Sequence, residues 1–184
     1  MPRRLARPDP ALADDAIRLE PLAEALVPEL GWVLEGDPGT ARFTRIPSEP
    51  DLAFLTGWLA RYERAWDDGS AAGFAARDAA TGEAVAFAGL VALDLDKQEA
   101  EIGYVVAPNA RGRGVARRSV DLLTRWGFET LGLQRIELRI DPANAASLRI
   151  AQRAGYRHEG TLRNLYFKEG LRSDTAVWSR LADD

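Results

Sequence analysis

The stretch that decides the fold begins with Glu101-Ile102-Gly103-Tyr104-Val105-Val106-Ala107-Pro108 and continues through Arg111-Gly112-Arg113-Gly114-Val115-Ala116. The first run is rich in β-branched and aromatic residues, which predicts a strand. The second run is a Gly- and Arg-rich turn, and the apolar residues after it recur at helical spacing. The first N–H groups of a helix have no intrahelical partner, and the helix dipole adds a partial positive charge there. The stretch therefore predicts a site for an anion such as phosphate.

The turn lacks the residues that two common phosphate-binding motifs require. It has no Gly-Lys-Ser/Thr ending, so the phosphate lysine and the Mg²⁺-binding hydroxyl of a nucleoside triphosphatase are missing. It also lacks the third glycine of a dinucleotide-binding fingerprint. Two interpretations stay open from the residues alone. One is a metal-free pyrophosphate site built from amides and Arg side chains, and the other is a surface turn whose arginines only face solvent.

The chain after the turn predicts a helix, a strand, a second helix and a hairpin. One face of the first helix carries Val115, Ser119, Leu122, Leu123 and Trp126. Apolar residues alternate along Arg135–Ile140, which predicts a strand. Asn144 is a good N-cap for the second helix, and Gly155 suits its C′ position. Two further strands, at residues 156–168 and 171–181, are joined by a turn at Glu169-Gly170.

The chain before the turn predicts one strand, two helices and an antiparallel meander. Residues 16–20 alternate as a strand, and Pro21 can begin a helix that places Leu22, Leu26 and Leu30 on one face. Glu35 to Pro50 is expected to be an irregular loop. A helix over Asp51–Asp68, capped by Ser48 or Asp51, should bury a face made of Leu52, Leu55, Leu59, Tyr62 and Trp66.

The meander comprises strands at residues 72–78, 84–95 and 100–106, connected by short turns. Gly89 within the second of them indicates a bulge or a close backbone approach.

Composition excludes several classes of protein. The 184 residues contain no Cys and one His, which excludes disulfides, thiol nucleophiles and thiolate metal sites, and we expect no metal centre. The net charge of −4 disfavours nonspecific binding to nucleic acid. No apolar run approaches the about 20 residues that span a membrane. The basic start is not followed by an apolar segment, so we expect a cytoplasmic protein. Residues 1–13 are expected to be a loose tail and residues 14–184 a single domain.

Three motifs resemble a known family. Arg111-x-x-Gly114-x-Ala116 matches the Gln/Arg-x-x-Gly-x-Gly/Ala signature of the GNAT superfamily of acyl-CoA-dependent N-acyltransferases. The helix from Asn144 to the closing Gly155-Tyr156, and the run Ala100–Tyr104, are also similar to motifs of that family. Within it, Glu-Ile-Gly-Tyr, Asn-x-x-Ser and the segment Gly160–Arg163 together resemble the subgroup that acetylates the N-termini of ribosomal proteins.

The resemblance implies a fold and a cofactor site. The fold is α/β with a mixed sheet: an antiparallel meander followed by a βαβ unit, with helices on both faces. The acyl-CoA site splits the sheet between the fourth and fifth strands. The pantetheine arm would lie beside Tyr104–Val106, and a bulge near Val105 would aim an N–H at the thioester carbonyl. The pyrophosphate would sit on the amides of Arg113 to Ala116. The implied cofactor-binding residues are Tyr104, Val105, Val106, Arg111, Gly112, Arg113, Gly114, Val115, Ala116, Asn144 and Ser147.

The implied reaction is transfer of an acetyl group from acetyl-CoA to a primary amine by direct attack on the thioester. A ribosomal or other protein N-terminus is the acceptor that the subgroup suggests. A small amine (amino acid, polyamine or aminoglycoside) and an acyl-CoA-binding module without turnover are the alternatives. At pH 7 about one α-amine in ten is already neutral, against fewer than about one lysine in a thousand. An α-amine therefore asks less of a general base.

Candidate catalytic residues follow from the same resemblance. Glu101 is the candidate base, with a strand-edge ion pair as its other interpretation. The tyrosine that many family members use as an acid falls at Ala151. Ser147 is therefore the candidate cofactor contact and proton donor, with helix capping as its other interpretation and Tyr104 as an alternative acid. His158 is given no catalytic role.

Acceptor specificity is expected in the Glu35–Pro50 loop, the Asp51–Asp68 helix and the last two strands. A homodimer is expected from the subgroup.

Overall fold

The computed structural model describes residues 4–35 and 37–184, which build one eight-stranded mixed sheet in the order β1-β2-β3-β4-β5-β6-β8-β7. The strands are β1 (Leu12–Ala13), β2 (Ile17–Pro21), β3 (Ala72–Asp78), β4 (Ala84–Asp94), β5 (Glu99–Val106), β6 (Arg135–Ile140), β7 (Arg157–Lys168) and β8 (Leu171–Leu181). The helices are α1 (Pro38–Phe43), α2 (Leu52–Asp68), α3 (Val115–Glu129) and α4 (Ala145–Arg153). Short 3₁₀ helices span Glu24–Leu26, Gly31–Glu35 and Pro108–Ala110.

The sheet opens between β5 and β6. These are the predicted fourth and fifth strands, numbered one higher because the short strand β1 was not predicted. β5 is antiparallel to β4 along its whole length, from Glu99 to Val106. Its parallel pairing with β6 covers only Glu99–Glu101 against Arg135–Glu137. Beyond these residues the two strands diverge, and β6 pairs instead with β8 on its other side. The gap leaves the second half of β5 without a neighbouring strand on one side.

Helices cover both faces of the sheet, again as predicted. One apolar cluster joins the inward side of α3 to β4, β5 and β6, and includes Leu123, Ile102 and Ile136. The second cluster lies on the opposite face under α2, and includes Leu55 and Phe87. Strand residues alternate between the two clusters because successive side chains point to opposite faces.

Gly89 makes the predicted close approach of β4 to β3. A Cβ atom on Gly89 would lie 2.5 Å from the backbone oxygen of Ala72. Only a residue without a side chain fits at this crossing of the two strands.

The caps read from the sequence are confirmed for α2 and α4. The Asp51 carboxylate accepts a hydrogen bond from the Phe54 N–H at 2.7 Å, and the Asn144 side chain accepts one from the Ser147 N–H at 3.1 Å. Gly155 follows the C-cap of α4 with φ +77°, as a C′ glycine does.

Three predictions about the first half of the chain are wrong. The helix expected from Pro21 is two short 3₁₀ helices, although Leu22, Leu26 and Leu30 are buried together. The loop expected over residues 35–50 contains α1, whose N-cap Asp37 accepts from the Thr40 N–H. Leu52 is 59% exposed, because it stands at the first position of α2 and outside its buried face.

The predicted loose tail is wrong for residues 4–13. Leu5 is buried in the larger cluster, and its N–H donates to the Trp66 carbonyl at 2.9 Å. β1 extends the sheet by pairing with β2. Residues 1–3 lie outside the described residues.

Among the described residues, no helix has both the length and the apolar character needed to cross a bilayer.

Candidate active site

A cradle of unpartnered amides lies at the start of α3. Gly112 and Gly114 have φ +78° and +82°, a left-handed conformation that glycine adopts without strain. Gly114 is the N-cap of α3, and no side chain caps the helix there. The first backbone bond of the helix runs from the Arg118 N–H to the Gly114 carbonyl at 3.0 Å. The N–H groups of Val115 and Ala116 precede that bond and stay available to an anion.

The arginines of this turn are already paired with carboxylates. Arg113 binds Asp78, Arg117 binds Asp121, and Arg118 binds Asp14 and Asp15. Arg111 and Arg117 line the cleft from within these ion pairs. The cradle owes its positive potential to backbone amides and the dipole of α3.

Arg111, the first residue of the signature, joins the cofactor strand to α1. Its two terminal nitrogens donate to the two Asp37 oxygens at 3.1 and 2.6 Å. It also donates to the Thr40 hydroxyl at 3.1 Å and, through Nε, to the Val106 carbonyl at 3.3 Å. The hydrogen bonds from Arg111 hold the pKa of Asp37 well below its usual range.

The backbone groups that face the open gap belong to Tyr104 and Val106. The Ala107 N–H donates to the Val85 carbonyl of β4 at 2.9 Å. In an antiparallel pair, alternate residues direct both backbone groups to the same neighbour, so those of Val105 also face β4. The groups of Tyr104 and Val106 consequently point into the gap, where an extended ligand could pair with them.

The bulge predicted near Val105 is in the neighbouring strand. Register between β4 and β5 is regular from Ile102 to Val106, and it shifts between Leu90 and Ala92 on β4. The predicted oxyanion donor, the Val105 N–H, is therefore turned away from the gap.

Tyr104 and Ser147 form the wall of the cleft on the α4 side. The Tyr104 hydroxyl is buried and has no hydrogen-bond partner among the described residues. Burial raises the pKa of Tyr104 to about 12, and the nearby Ser147 hydroxyl opposes this rise. The two hydroxyls are thus neighbours without hydrogen-bond geometry. Asn144 caps α4, which leaves the Ser147 hydroxyl free to face the cleft.

Glu101 lies on the opposite face of β5 from Tyr104, because the two are three positions apart along a regular strand. Its side chain is 25% exposed, and one oxygen lies 3.6 Å from Arg139 Nε. Burial raises the pKa of Glu101, Arg139 and Arg45 oppose the rise, and Glu137 adds to it. A carboxylate with a raised pKa that faces a cleft suits a general base.

An aromatic wall lines the cleft on the Glu101 side. Trp58 packs edge-on against Tyr62 and lies 4.8 Å from Phe87, ring centre to ring centre. Phe54 stacks on Trp58 at 6.4 Å. The cleft has a volume of about 1810 Å³ and runs from this wall through the gap to the cradle.

The segment 37–48, which we term the acceptor loop, is held at both ends. Arg111 binds its start, and the β7–β8 hairpin binds the rest. Lys168 donates to the carbonyls of Ala41 and Ile46, and the Tyr166 hydroxyl donates to the Thr44 carbonyl at 2.7 Å. Glu169 accepts from the N–H and hydroxyl of Ser48 at 2.9 and 2.7 Å.

Within the described ranges, no group of three or more His, Asp or Glu side chains is arranged to hold a metal ion. His158 is exposed and packs against the Trp178 ring at 5.2 Å.

The fold, the amide cradle and the split sheet agree with a comparison of sequences. Residues 16–157 match the family model described as an acetyltransferase (GNAT) domain. The chain belongs to the GNAT acetyltransferase family. It is an N-acetyltransferase, and its mixed sheet is the GNAT fold expected from the motifs.

Relatives of this GNAT acetyltransferase match between about half and nearly all of its length. The uncharacterized N-acetyltransferase p20 of Bacillus licheniformis is 28% identical over 145 residues, which are 79% of this chain and 82% of p20. The putative ribosomal N-acetyltransferase YdaF of Bacillus subtilis is 30% identical over 89 residues, 48% of this chain and 49% of YdaF. The crystal structure of a probable GNAT acetyltransferase from Chromobacterium violaceum is 28% identical, with a TM-score of 0.83 over 98% of this chain and 91% of that one.

All predicted site residues of the acetyltransferase line one cleft or border it. Glu101, Tyr104, Val106, Asn144, Ser147 and the turn from Arg111 to Ala116 converge there, with the side chain of Arg113 directed to Asp78 instead. Sequence reasoning missed Arg45, Trp58, Arg61 and Phe87. The three residues on α2 and in the 37–48 segment lay on segments expected to hold the acceptor, whereas Phe87 on β4 had no such signal. Packing of α2 against β4 brings Trp58 and Phe87 together.

Proposed function

We propose that this chain transfers the acetyl group of acetyl-CoA to a primary amine, and that the amine is a protein N-terminal α-amine. The observation that carries the proposal is the continuity of the cleft. It connects the uncapped amides of α3 with the open side of β5 and ends beside the partly buried carboxylate of Glu101. A pyrophosphate, an extended pantetheine arm and an amine fit these three positions in that order.

The residues of the gap would orient the thioester. The N–H groups of Tyr104 and Val106 face the open side of β5 and can pair with amides of an extended arm. One of them can also donate to the carbonyl oxygen as it gains negative charge. The N–H groups of Val115 and Ala116 would bind the pyrophosphate, with Gly114 giving them access. Asn144 and Ser147 would form the wall against the sulfur end.

The chemistry divides between the two faces of β5. The amine nitrogen forms a bond to the carbonyl carbon, and its excess proton passes to Glu101, directly or through a water. The carbon–sulfur bond then breaks, and the sulfur leaves as a thiolate. Ser147 or Tyr104, on the other face, delivers a proton to it. Because a free thiol has a pKa of about 8.5, this last transfer needs little help.

An α-amine suits this site better than a lysine. The site offers the partly buried carboxylate of Glu101 as base, and an α-amine with a pKa of about 7.7–8.0 is partly neutral before it binds. The putative ribosomal acetyltransferase YdaF and a spermidine N(1)-acetyltransferase of Escherichia coli, the latter 29% identical, each match about half of the chain, so the choice between the two acceptors rests on the site itself. A small amine is the competing acceptor.

The acceptor is tested by thiol release from acetyl-CoA with a matched set of amines. One peptide carries a free N-terminus and an internal lysine. A second has the same sequence with a formylated N-terminus, and spermidine is the third amine. We expect release with the first peptide alone. Equal release with the blocked peptide, or a preference for spermidine, would contradict the α-amine assignment.

The cofactor site is tested separately, by calorimetry with acetyl-CoA. Gly114→Asp puts an anion where the pyrophosphate should bind, and we expect at least a hundredfold loss of affinity. Gly132→Asp is the control: Gly132 has φ +71° and open space around it, at the far end of α3. Unchanged affinity in Gly114→Asp would refute the site.

A homodimer and a cytoplasmic location are further parts of the proposal, and the homodimer rests on the subgroup resemblance. The β7–β8 hairpin exposes Leu162, Leu165, Phe167 and Leu171, an apolar surface that a second copy could cover. Sedimentation of wild-type protein and of Phe167→Glu tests the dimer. Monomers at all concentrations in the wild type would refute it.

A further inference from the structure

The acceptor end of the cleft carries arginines without carboxylate partners. Arg42, Arg45 and Arg61 line the cleft, and within residues 4–35 and 37–184 no carboxylate oxygen lies within 4.0 Å of them. The arginines of the cofactor turn, by contrast, are all paired. In a chain of net charge −4, these three cations give this end of the cleft a local positive charge.

The guanidinium groups of Arg45 and Arg61 each lie over an aromatic ring. Arg61 lies 5.0 Å from the centre of the Tyr62 ring, and Arg45 lies 5.8 Å from that of Tyr166. Stacking on a ring restrains a guanidinium and leaves its N–H edge open for a ligand oxygen. Arg45 also belongs to the acceptor loop, whose backbone is fixed by Lys168 and Tyr166.

The cations lie close to the candidate base. The positive charge of Arg45 opposes the burial-driven rise in the pKa of Glu101. Burial also raises the pKa of Tyr62, Glu101 adds to that rise and Arg45 opposes it. These three side chains therefore share one region of the cleft. An amine that reaches Glu101 therefore brings the next part of its molecule past Arg45 and Arg61. The rings of Trp58 and Phe87 form the floor of the same region.

We infer that the acceptor carries a carboxylate a few bonds from its reactive amine, bound by Arg45 and Arg61, and an apolar group packed on the Trp58–Phe87 wall. This inference rests on the proposed acetyltransferase function and names its substrate class. An acidic peptide N-terminus and an aromatic amino acid share this chemistry. A polyamine does not, because its additional positive charges would face Arg42, Arg45 and Arg61.

The test compares acceptors that differ only in charge. The peptide pair has Asp or Asn after an N-terminal Phe, and the small-molecule pair is phenylalanine and phenylalaninamide. We expect kcat/KM for the carboxylate member of the preferred pair to exceed that for the amide by about tenfold or more, the size of one or two charge-assisted hydrogen bonds. The pair with the larger kcat/KM identifies the source of the carboxylate.

Variants assign the preference to the two arginines. In Arg45→Gln and Arg61→Gln we expect the preference to fall to about threefold or less. Arg64→Gln, an exposed residue of α2 that does not line the cleft, should retain it. Acetyl-CoA affinity should stay within about twofold of wild type in all three. That result separates this inference from the cofactor site and also confirms folding.

Three outcomes would overturn the inference. One is equal kcat/KM for carboxylates and amides, and another is a preference for spermidine. The third is a carboxylate preference that survives in both Arg45→Gln and Arg61→Gln. If no acceptor turns over while acetyl-CoA binds, the same pairs are titrated by Trp fluorescence into the protein with coenzyme A. Equal binding of carboxylate and amide would then overturn it. Failure to bind acetyl-CoA would refute the proposed function itself.

Discussion

The guanidinium of Arg111 and the carboxylate of Asp37 form a two-point ion pair, with N···O distances of 3.1 and 2.6 Å. This pair connects the first residue of the GNAT signature to the acceptor loop, since Asp37 is also the N-cap of α1. Nε of the same arginine donates to Val106, whose backbone faces the gap. Arg111 thus acts as a tie between β5 and α1.

The first prediction concerns this tie. Asp37→Asn should raise KM for the acceptor several-fold, because the Asn side chain can still cap α1 but loses the ion pair with Arg111, while acetyl-CoA affinity changes by less than about twofold. Arg111→Gln should behave in the same way. Steady-state kinetics and calorimetry measure the two quantities. A large loss of acetyl-CoA affinity in Arg111→Gln alone would mean that this arginine binds the cofactor.

The pH dependence of the tie has a definite sign. The pKa of Asp37 is lowered in the folded protein, so its contribution to stability is complete above the unfolded pKa of about 3.9. It is lost only as pH falls through the lower, folded pKa. Thermal melts of wild type and Asp37→Asn should therefore differ by a constant amount from pH 6 to 9.

The second prediction concerns Glu101 as the base. Its pKa is raised, mainly by burial, so activity should be lost as pH falls through a value above the usual glutamate range. Glu101→Gln should lower kcat/KM about a hundredfold and remove this acidic limb. The limb from titration of the acceptor amine should persist. An unchanged pH profile in Glu101→Gln would show that Glu101 only pairs with Arg139.

The third prediction separates the roles of Ser147 and Tyr104. Tyr104→Phe removes a buried hydroxyl that has no partner, so the free energy of unfolding should be unchanged or slightly higher. If Tyr104 delivers the proton, kcat falls in this variant and the acetyl-CoA Kd does not. If Ser147 delivers it, Ser147→Ala shows that pattern instead, with a fall of about tenfold. A raised Kd with unchanged kcat would limit Ser147 to a cofactor contact.

The fourth prediction tests packing. Gly89→Ala would place a Cβ atom 2.5 Å from the Ala72 oxygen, and we expect a loss of about 1–3 kcal/mol as the strands separate. Gly57→Ala, inside α2 with open space around it, should gain about 0.5–1 kcal/mol. Urea unfolding of both variants measures the difference. Equal stability would contradict the tight crossing of β3 and β4.

Local signals account for the parts of the fold that sequence predicted well. α3 and α4 were recognisable because each begins at a residue suited to its N-terminus, Gly114 and Asn144, and continues with helical spacing. The helix predicted after Pro21 was wrong. Leu22, Leu26 and Leu30 have helical spacing, but the chain forms two separate 3₁₀ helices there. α1 was missed because its six residues include Pro38 and Gly39, which also indicate loops.

The sequence by itself determined the elements of the proposed cofactor site: the β5 strand, the glycine turn and the capped α4 helix are each specified by local spacing. Only the tertiary structure decided the rest. It turned the N–H of Val105 away from the gap through the register with β4, and it paired the arginines of the turn with distant carboxylates such as Asp37 and Asp78. It also left Arg45 and Arg61 without a carboxylate partner among the described residues, in the region of Glu101, and this arrangement depends on packing between segments far apart in sequence.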